Sequence, residues 1–267
     1  MHTKVGFIGA GNMAGAIIRG MIKADAFPSC QILVYDLDQE KCASFAKLGV
    51  TAAKSAKEMV TECGIVFLAV KPQNFEEVLT EIKPVVTSTK IFVSIAAGIS
   101  SSYITKTLGC LCPIVRTMPN TPMLIGKGAT AMCRTENVSD QDFELIQSFF
   151  RSCGIVTVMT EEYMNAVISV HSSSPAYIYL FAKAMIDAAV KQGIERDTAL
   201  ELVCQTLEGS AGMLRDSGST PEQLIRMVSS PGGTTLKALD VFYEHHLEET
   251  VEEAMEACTR RAEELGR

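Results

Sequence analysis

The residues whose types and spacing could do chemistry stand toward the two ends of the chain. In Ser230-Pro231-Gly232-Gly233-Thr234-Thr235, two glycines follow a proline, two threonines follow the glycines, and an apolar-periodic run opens at Leu236. That order makes a turn that frees backbone N–H groups and aims them, with two hydroxyls, at the start of a helix. The first amides of a helix lack intrahelical partners and the macrodipole adds positive potential there, so such a turn attracts an anion. At the other end, the apolar run 5–8 leads into Gly9-Ala10-Gly11-Asn12-Met13-Ala14, a G-x-G-x-x-A turn between a strand and a helix. Gly9 permits the tight turn, Gly11 lets a pyrophosphate approach the backbone, and Ala14 allows close helix–strand packing. Asp36 ends the second strand 22 residues after Ala14, close to the roughly 20 expected for a ribose-binding carboxylate. Together the two ends suggest a dinucleotide and a small carboxylate; the blander alternative at each is a turn with no ligand.

Asp36 also bears on which dinucleotide. A carboxylate there accepts from a free 2′-hydroxyl and repels a 2′-phosphate; Asp38 adds to the repulsion, and no arginine lies between Asp36 and Lys41. These charges favour NADH over NADPH, although Lys41 or Lys54 could reach a phosphate.

The elements that must hold these residues follow from hydrophobic periodicity. Short apolar runs at 5–8, 31–35, 65–70, 91–95, 114–115, 129–132 and 155–159 read as strands, several of them apolar on both faces, as expected when helices cover both sides. Amphipathic stretches at 13–24, 39–48, 75–82 and 140–153 read as helices, the last capped by Ser139 with Asp142 three residues on. Strands alternating with helices predict parallel pairing and an α/β doubly wound (Rossmann) sheet. Beyond about residue 160 the strand signal stops. Residues 161–192 form one helical pattern around Pro175, which starts a new helix or a kink. From 176 to 190 only Lys183 and Asp187 are charged, and so apolar a helix is buried in a core or between subunits. Gly193 stops it, Asp197 is expected to cap 198–215, Thr220-Pro221 with Gln223 starts another helix, and 247–265 carries an apolar stripe of Leu247, Val251, Met255, Cys258, Ala262 and Leu265. The expected organisation is a dinucleotide-binding Rossmann domain over 1–160 and a smaller all-helical substrate-binding and dimerisation domain over 161–267.

Composition sets the limits. The 267 residues are 47% hydrophobic and 21% charged, with a net charge of −7, an ordinary globular balance. An acidic surface argues against nucleic acid and anionic membrane as partners. Nine cysteines are scattered without a C-x-x-C pair, so free thiols in a reducing, cytoplasmic setting are expected. A strand pattern begins at once, so no signal peptide is expected; the run 175–186 is too short to span a bilayer. His245 and His246 point to divergent faces with no acid at ligand spacing, and no metal site is expected.

Further motifs run the length of the chain: Gly6 through Ala14, Leu68-Ala69-Val70-Lys71-Pro72-Gln73, Ser94-Ile95-Ala96-Ala97-Gly98-Ile99, Arg116-Thr117-Met118-Pro119-Asn120-Thr121-Pro122, Ser173-Ser174-Pro175-Ala176-Tyr177, and Ser229-Ser230-Pro231-Gly232-Gly233-Thr234-Thr235. On these the chain resembles the pyrroline-5-carboxylate reductases, which carry out the last step of proline biosynthesis. The first motif is shared by many dehydrogenases, whereas the last two together are specific. The resemblance implies that Ala69, Val70, Lys71 and Pro72 pass beside the cofactor, that Ala96 and Gly98 join them on the carboxyl edge of the sheet, and that Asn120 lies near the nicotinamide ring. It implies that Ser230, Gly233, Thr234 and Thr235 hold the substrate carboxylate, with the Thr235 hydroxyl reaching the ring nitrogen. It also implies that two chains share each substrate pocket through interlocked helical domains. Two departures stand out. His171 and Ser172 replace a small residue and a glycine in the run before Pro175, and Asp36 stands where many members that favour NADPH carry a neutral or basic loop.

The expected reaction is reduction of 1-pyrroline-5-carboxylate to proline with NADPH or NADH. A protonated imine needs no strong general base, so a hydroxyl or a water suffices as proton source, and Thr235 is the candidate catalytic residue; its alternative is an ordinary helix cap. His171 could donate a proton, although a lone histidine on an apolar segment is more often packed and hydrogen-bonded. Two other functions remain open on the sequence: a related cyclic-imine reductase, and a non-catalytic dinucleotide-binding regulatory protein.

Overall fold

A computed structural model describes residues 4–266. They form two compact units, one of residues up to Pro175 together with those from Glu256 onward, the other Ala176–Met255.

The first unit is built on eight strands: β1 (Val5–Ile8), β2 (Ile32–Tyr35), β3 (Thr51–Ala52), β4 (Ile65–Leu68), β5 (Ile91–Ser94), β6 (Ile114–Met118), β7 (Gly128–Arg134) and β8 (Gly154–Val158). They lie in the order β3-β2-β1-β4-β5-β6-β7-β8. Six α-helices connect them: α1 (Asn12–Lys23), α2 (Gln39–Ala46), α3 (Ala56–Glu62), α4 (Phe75–Ile82), α5 (Ser101–Leu108) and α6 (Asp140–Arg151). The alternation of side chains along each strand sorts them onto two faces. Val5 and Phe7 of β1 and Ile65 and Phe67 of β4 join Ile17 of α1, Phe45 of α2 and Phe149 of α6 in one cluster. Ile8, Val66 and Leu68 join Met59 of α3, Leu79 of α4 and Ile104 of α5 in the other. Phe7 and Phe67 stack with ring centroids 4.3 Å apart; burial of side chains this size is worth about 1.5–3 kcal/mol each. The sheet is thus doubly wound, with α1, α2 and α6 on one side and α3, α4 and α5 on the other.

All neighbours pair in parallel, as expected, except β6 and β7, which run antiparallel. The link between those two strands carries only a 3₁₀ turn at Thr121–Ile125, too short for a crossover helix, so the chain reverses; the α6 crossover then makes β8 parallel to β7.

Residues 161–175 and the end of the chain pack with the sheet. Met164 and Ile168 join Met118, Ala131, Cys133 and Ala262 in one buried cluster, and the compact units divide after Pro175. The 161–192 stretch is a 3₁₀ turn at Glu161–Tyr163, a π-helical turn at Ile168–Ser172, and then α7 (Ser174–Lys191) with Pro175 at its second position.

The second unit contains most of α7 with α8 (Arg196–Asp216), α9 (Pro221–Met227), α10 (Thr234–Glu244) and the first turns of α11 (Leu247–Leu265). The side chain that caps α8 belongs to Glu195, which accepts from the Thr198 N–H, in place of the expected Asp197. α9 opens on a capping box between Thr220 and Gln223. The core of this unit is small, centred on Ile186, Ala199 and Val203. Along α7 only Ile186 is buried, while Ile178, Tyr179, Leu180, Phe181 and Met185 are exposed in the single chain.

Candidate active site

In the order β3-β2-β1-β4-β5-β6 the connections run outward in opposite directions on either side of the β1–β4 junction, and open α/β sheets bind ligands at the carboxyl ends of the strands at such a point. A cleft of about 400 Å³ lies there, bordered by Gly9, Gly11, Asp36, Lys41, Ala69, Val70 and Lys71 among others. The sequence brought five of these forward as cofactor residues through two separate motifs, with Asp36 added by its spacing, and the fold joins them.

Gly9 has φ of +104°, and a Cβ on it would meet the Ala69 carbonyl oxygen at 2.5 Å; only glycine fits this crossing. A Cβ on Gly11 would meet nothing within 4 Å, so the space over the turn is open. Gly11 caps α1 with no side-chain hydrogen bond and no acid in the first turn. The leading amides of α1, from exposed Asn12 and half-buried Met13, are therefore available to an anion. This cradle fits the pyrophosphate of a dinucleotide.

Asp36 is tied into the same turn. Its Oδ2 accepts from the Ala10 N–H at 2.8 Å and its Oδ1 from the Asp38 N–H at 2.9 Å. The Lys41 ammonium stands 3.9 Å from Asp36 Oδ1 and 3.5 Å from Asp38 Oδ2, so its charge is shared between two carboxylates. Tyr35, Leu37, Asn74, Glu77 and Glu81 also line the cleft. None was singled out from the sequence, although the start of α4 directly after Lys71-Pro72 was the available signal.

The other four proposed cofactor residues sit differently. Pro72 opens a 3₁₀ turn, Pro72–Asn74, and lies between the cleft-lining Lys71 and Asn74 without lining the cleft itself. Ala96 is buried after β5, and Gly98 packs so tightly that a Cβ would lie 2.3 Å from the Ala262 carbonyl oxygen. Asn120 is buried as well: its Nδ2 donates to the His171 carbonyl and its Oδ1 accepts from the Ala129 N–H, each at 2.9 Å. In this structure its amide braces the end of β6 and does not line the cleft.

The brace continues. His171 Nε2 lies 2.6 Å from the Met118 carbonyl oxygen and Nδ1 lies 2.9 Å from that of Val167, while Ser172 Oγ donates to the Pro119 carbonyl at 3.2 Å. A neutral imidazole has one N–H, so it donates to one of these two carbonyls, and only the imidazolium donates to both. Below it, buried Arg116 donates to Glu161 Oε1 at 2.7 Å and to Asn165 Oδ1 at 3.3 Å. Glu161 also takes the Ser101 N–H and hydroxyl at the start of α5. Burial pushes the Glu161 carboxyl up, but the Ser101 and Arg116 bonds together outweigh it and hold the carboxyl below its ordinary range.

In the second unit, the residues proposed for substrate binding surround the start of α10. Gly233 is its cap, Thr234 and Thr235 are its first two residues, no side chain caps it, and no acid lies in the first turn. The ordinary cap role considered for Thr235 thus falls to Gly233, which has no side chain to offer as an acceptor. Gly233 donates to the Ser230 carbonyl at 2.9 Å, and a Cβ there would lie 2.6 Å from Ser230 Oγ. Thr235 is half-buried and Thr234 exposed. Among the described residues no cluster of three metal-ligating side chains occurs, and no helix is long and apolar enough to cross a membrane.

Two protein families match the chain in part. The family described as pyrroline-5-carboxylate reductase dimerisation matches residues 161–265, and that described as NADP oxidoreductase, coenzyme F420-dependent, matches residues 4–98. The pyrroline-5-carboxylate reductase of Escherichia coli (strain K12) is 38% identical, with both chains covered completely. That of Haemophilus influenzae is 40% identical over 99% of this chain and 98% of its own. Among solved structures, the Plasmodium falciparum pyrroline carboxylate reductase with NADP bound has a TM-score of 0.92 at 32% identity, covering 99% of this chain and 98% of its own. The Coxiella burnetii enzyme has a TM-score of 0.89 at 34% identity, with 99% of each chain covered.

Proposed function

The chain belongs to the pyrroline-5-carboxylate reductase family, and from that premise we propose that it reduces 1-pyrroline-5-carboxylate to L-proline with NADH preferred over NADPH, as a homodimer or larger assembly of this chain. The observation that carries this reading is the repeated construction of two helix starts. α1 and α10 both begin on a glycine with no side-chain cap and no acid in the first turn. The first suits a pyrophosphate and the second a small carboxylate.

Reduction adds hydride to the imine carbon and a proton to the ring nitrogen; the nicotinamide, when bound, supplies the hydride. The amides at the start of α10 hold the substrate carboxylate, assisted by Ser230. The Thr235 hydroxyl hydrogen-bonds to the ring nitrogen and orients the ring. In the first unit, Gly9 and Gly11 open the turn, Asn12 and Met13 present amides to the pyrophosphate, and Asp36 accepts from the adenosine ribose. Lys41, already shared between Asp36 and Asp38, is a poor receiver for a 2′-phosphate, which is the basis for preferring NADH. Ala69, Val70, Lys71 and Pro72 border the cofactor, with Ala96, Gly98 and Asn120 supporting it along the same edge.

The test is to follow NADH and NADPH oxidation with pyrroline-5-carboxylate and with homologous cyclic imines. Oxidation with pyrroline-5-carboxylate, faster with NADH, is the expected result. Turnover of a different imine alone selects the related cyclic-imine reductase, and cofactor binding without oxidation selects a regulatory protein.

A further inference from the structure

We propose that His171 is a positioning residue that latches the loop leaving β6, the stretch Met118–Pro119–Asn120, onto the widened turn of Ile168–Ser172. The inference rests on the reading of this chain as an imine reductase, in which that loop lies on the cofactor edge of the sheet.

In the π turn the Ser173 N–H reaches back five residues to the Ile168 carbonyl, at 2.9 Å. Such turns carry an extra residue and change the directions of the side chains around them. Here two consecutive side chains serve two consecutive carbonyls: His171 Nε2 stands against Met118 at 2.6 Å, and the Ser172 hydroxyl donates to Pro119 at 3.2 Å. The third residue of the loop returns the contact, as Asn120 Nδ2 donates to the His171 carbonyl at 2.9 Å. Three polar bonds in register join two backbones within one compact unit. The latch is built by the side chains of His171 and Ser172, and alanine or glycine at these positions could make neither side-chain bond.

The Nε2 contact is the shorter of the ring's two, 2.6 Å against 2.9 Å, and it sets the test. A glutamine places its amide nitrogen near the Nε2 position, whereas an asparagine reaches only as far as Nδ1. In the ligand-free protein, exchange of the Ala129 amide hydrogen, bonded to Asn120 Oδ1, reports on the loop. His171→Asn should speed that exchange about tenfold, as loss of one net hydrogen bond implies, while His171→Gln leaves it within about threefold of the parent. In the assay His171→Asn should lower kcat with pyrroline-5-carboxylate by a similar factor, and His171→Gln should restore most of it. The dissociation constant for NADH, read by fluorescence, should move less than about twofold in both variants. Equal losses in the two variants, no change in His171→Asn, or a loss confined to NADH binding would overturn the latch. If the parent protein reduces no imine, the functional reading fails, and the exchange rates of the two variants still decide the latch.

Discussion

Thr235 stands at the second position of a helix whose cap, Gly233, offers no side-chain acceptor. A hydroxyl there is not consumed by capping and is free to serve a ligand, which is why a conservative truncation should act on the reaction and leave the fold alone. A hydrogen bond to a charged group contributes roughly 1.5–3 kcal/mol, so Thr235→Ala should lower kcat/KM for the imine by about ten- to hundredfold with the melting temperature unchanged. Steady-state kinetics beside a thermal melt checks this, and unaltered efficiency removes Thr235 from the mechanism. Asp36 does two things at once: one oxygen steadies the glycine turn through Ala10, and the carboxylate faces the cleft. Asp36→Ser removes the charge that repels a 2′-phosphate, and the NADPH-to-NADH ratio of kcat/KM should rise about tenfold, the change given by ~1.4 kcal/mol of relieved repulsion. An unchanged ratio would mean that Asp36 does not meet the ribose.

At the scale of elements, the Arg116–Glu161 pair joins β6, the start of α5 and the turn after β8. Removing one partner of a buried pair costs about 3–5 kcal/mol, and because Glu161 is partly exposed a smaller loss of about 2 kcal/mol is expected for Glu161→Gln. The Glu161 carboxyl is held below its ordinary range when folded, so its contribution is complete above the unfolded carboxylate range and is lost as pH falls through the depressed folded value. Urea titrations should therefore show the parent and Glu161→Gln well separated near neutrality and converging in acid; a constant gap would show that the carboxylate is not the source. The same elements explain what the sequence displays and what it conceals. β1 and β4 are apolar on both faces and flank a glycine turn, so they are visible in composition alone. β6 was visible only as 114–115, because its continuation passes through Arg116 and Thr117, whose polarity is satisfied by Glu161 and by the Ser94 carbonyl across the sheet. α3 and α5 are short and carry few apolar residues; their signals are the caps Ser55 and Ser100, which mean little without a long periodic run behind them. The reversal of β7 follows from the length of one connection. The π turn has no sequence pattern, so the departures at His171 and Ser172 were legible as departures while the contacts they make were not.

At the scale of the molecule, the two units differ in how completely one chain buries them. The sheet unit encloses two large apolar clusters, one on each face, whereas the second unit gathers its core around three residues. α7 was expected to be covered by a core or by another subunit, yet within one chain it leaves Ile178, Tyr179, Leu180, Phe181 and Met185 uncovered, with Leu180 69% exposed. Apolar side chains exposed around a helix in this way are unfavourable in water, and covering side chains of this size recovers about 1.5–3 kcal/mol apiece. A second copy of the chain, the partner proposed here, would supply that cover. Leu180→Glu places a charge in the face without disturbing the sheet unit, because Leu180 makes no part of either sheet cluster. The variant should sediment as a monomer at micromolar concentration while the parent sediments as a dimer or larger, and the variant should retain NADH binding in the β1–β4 cleft. Imine reduction should fall with assembly if the substrate pocket draws on two chains. A parent protein that sediments as a monomer under the same conditions would remove the dimer from the mechanism, and full turnover by a monomeric variant would confine the pocket to one chain.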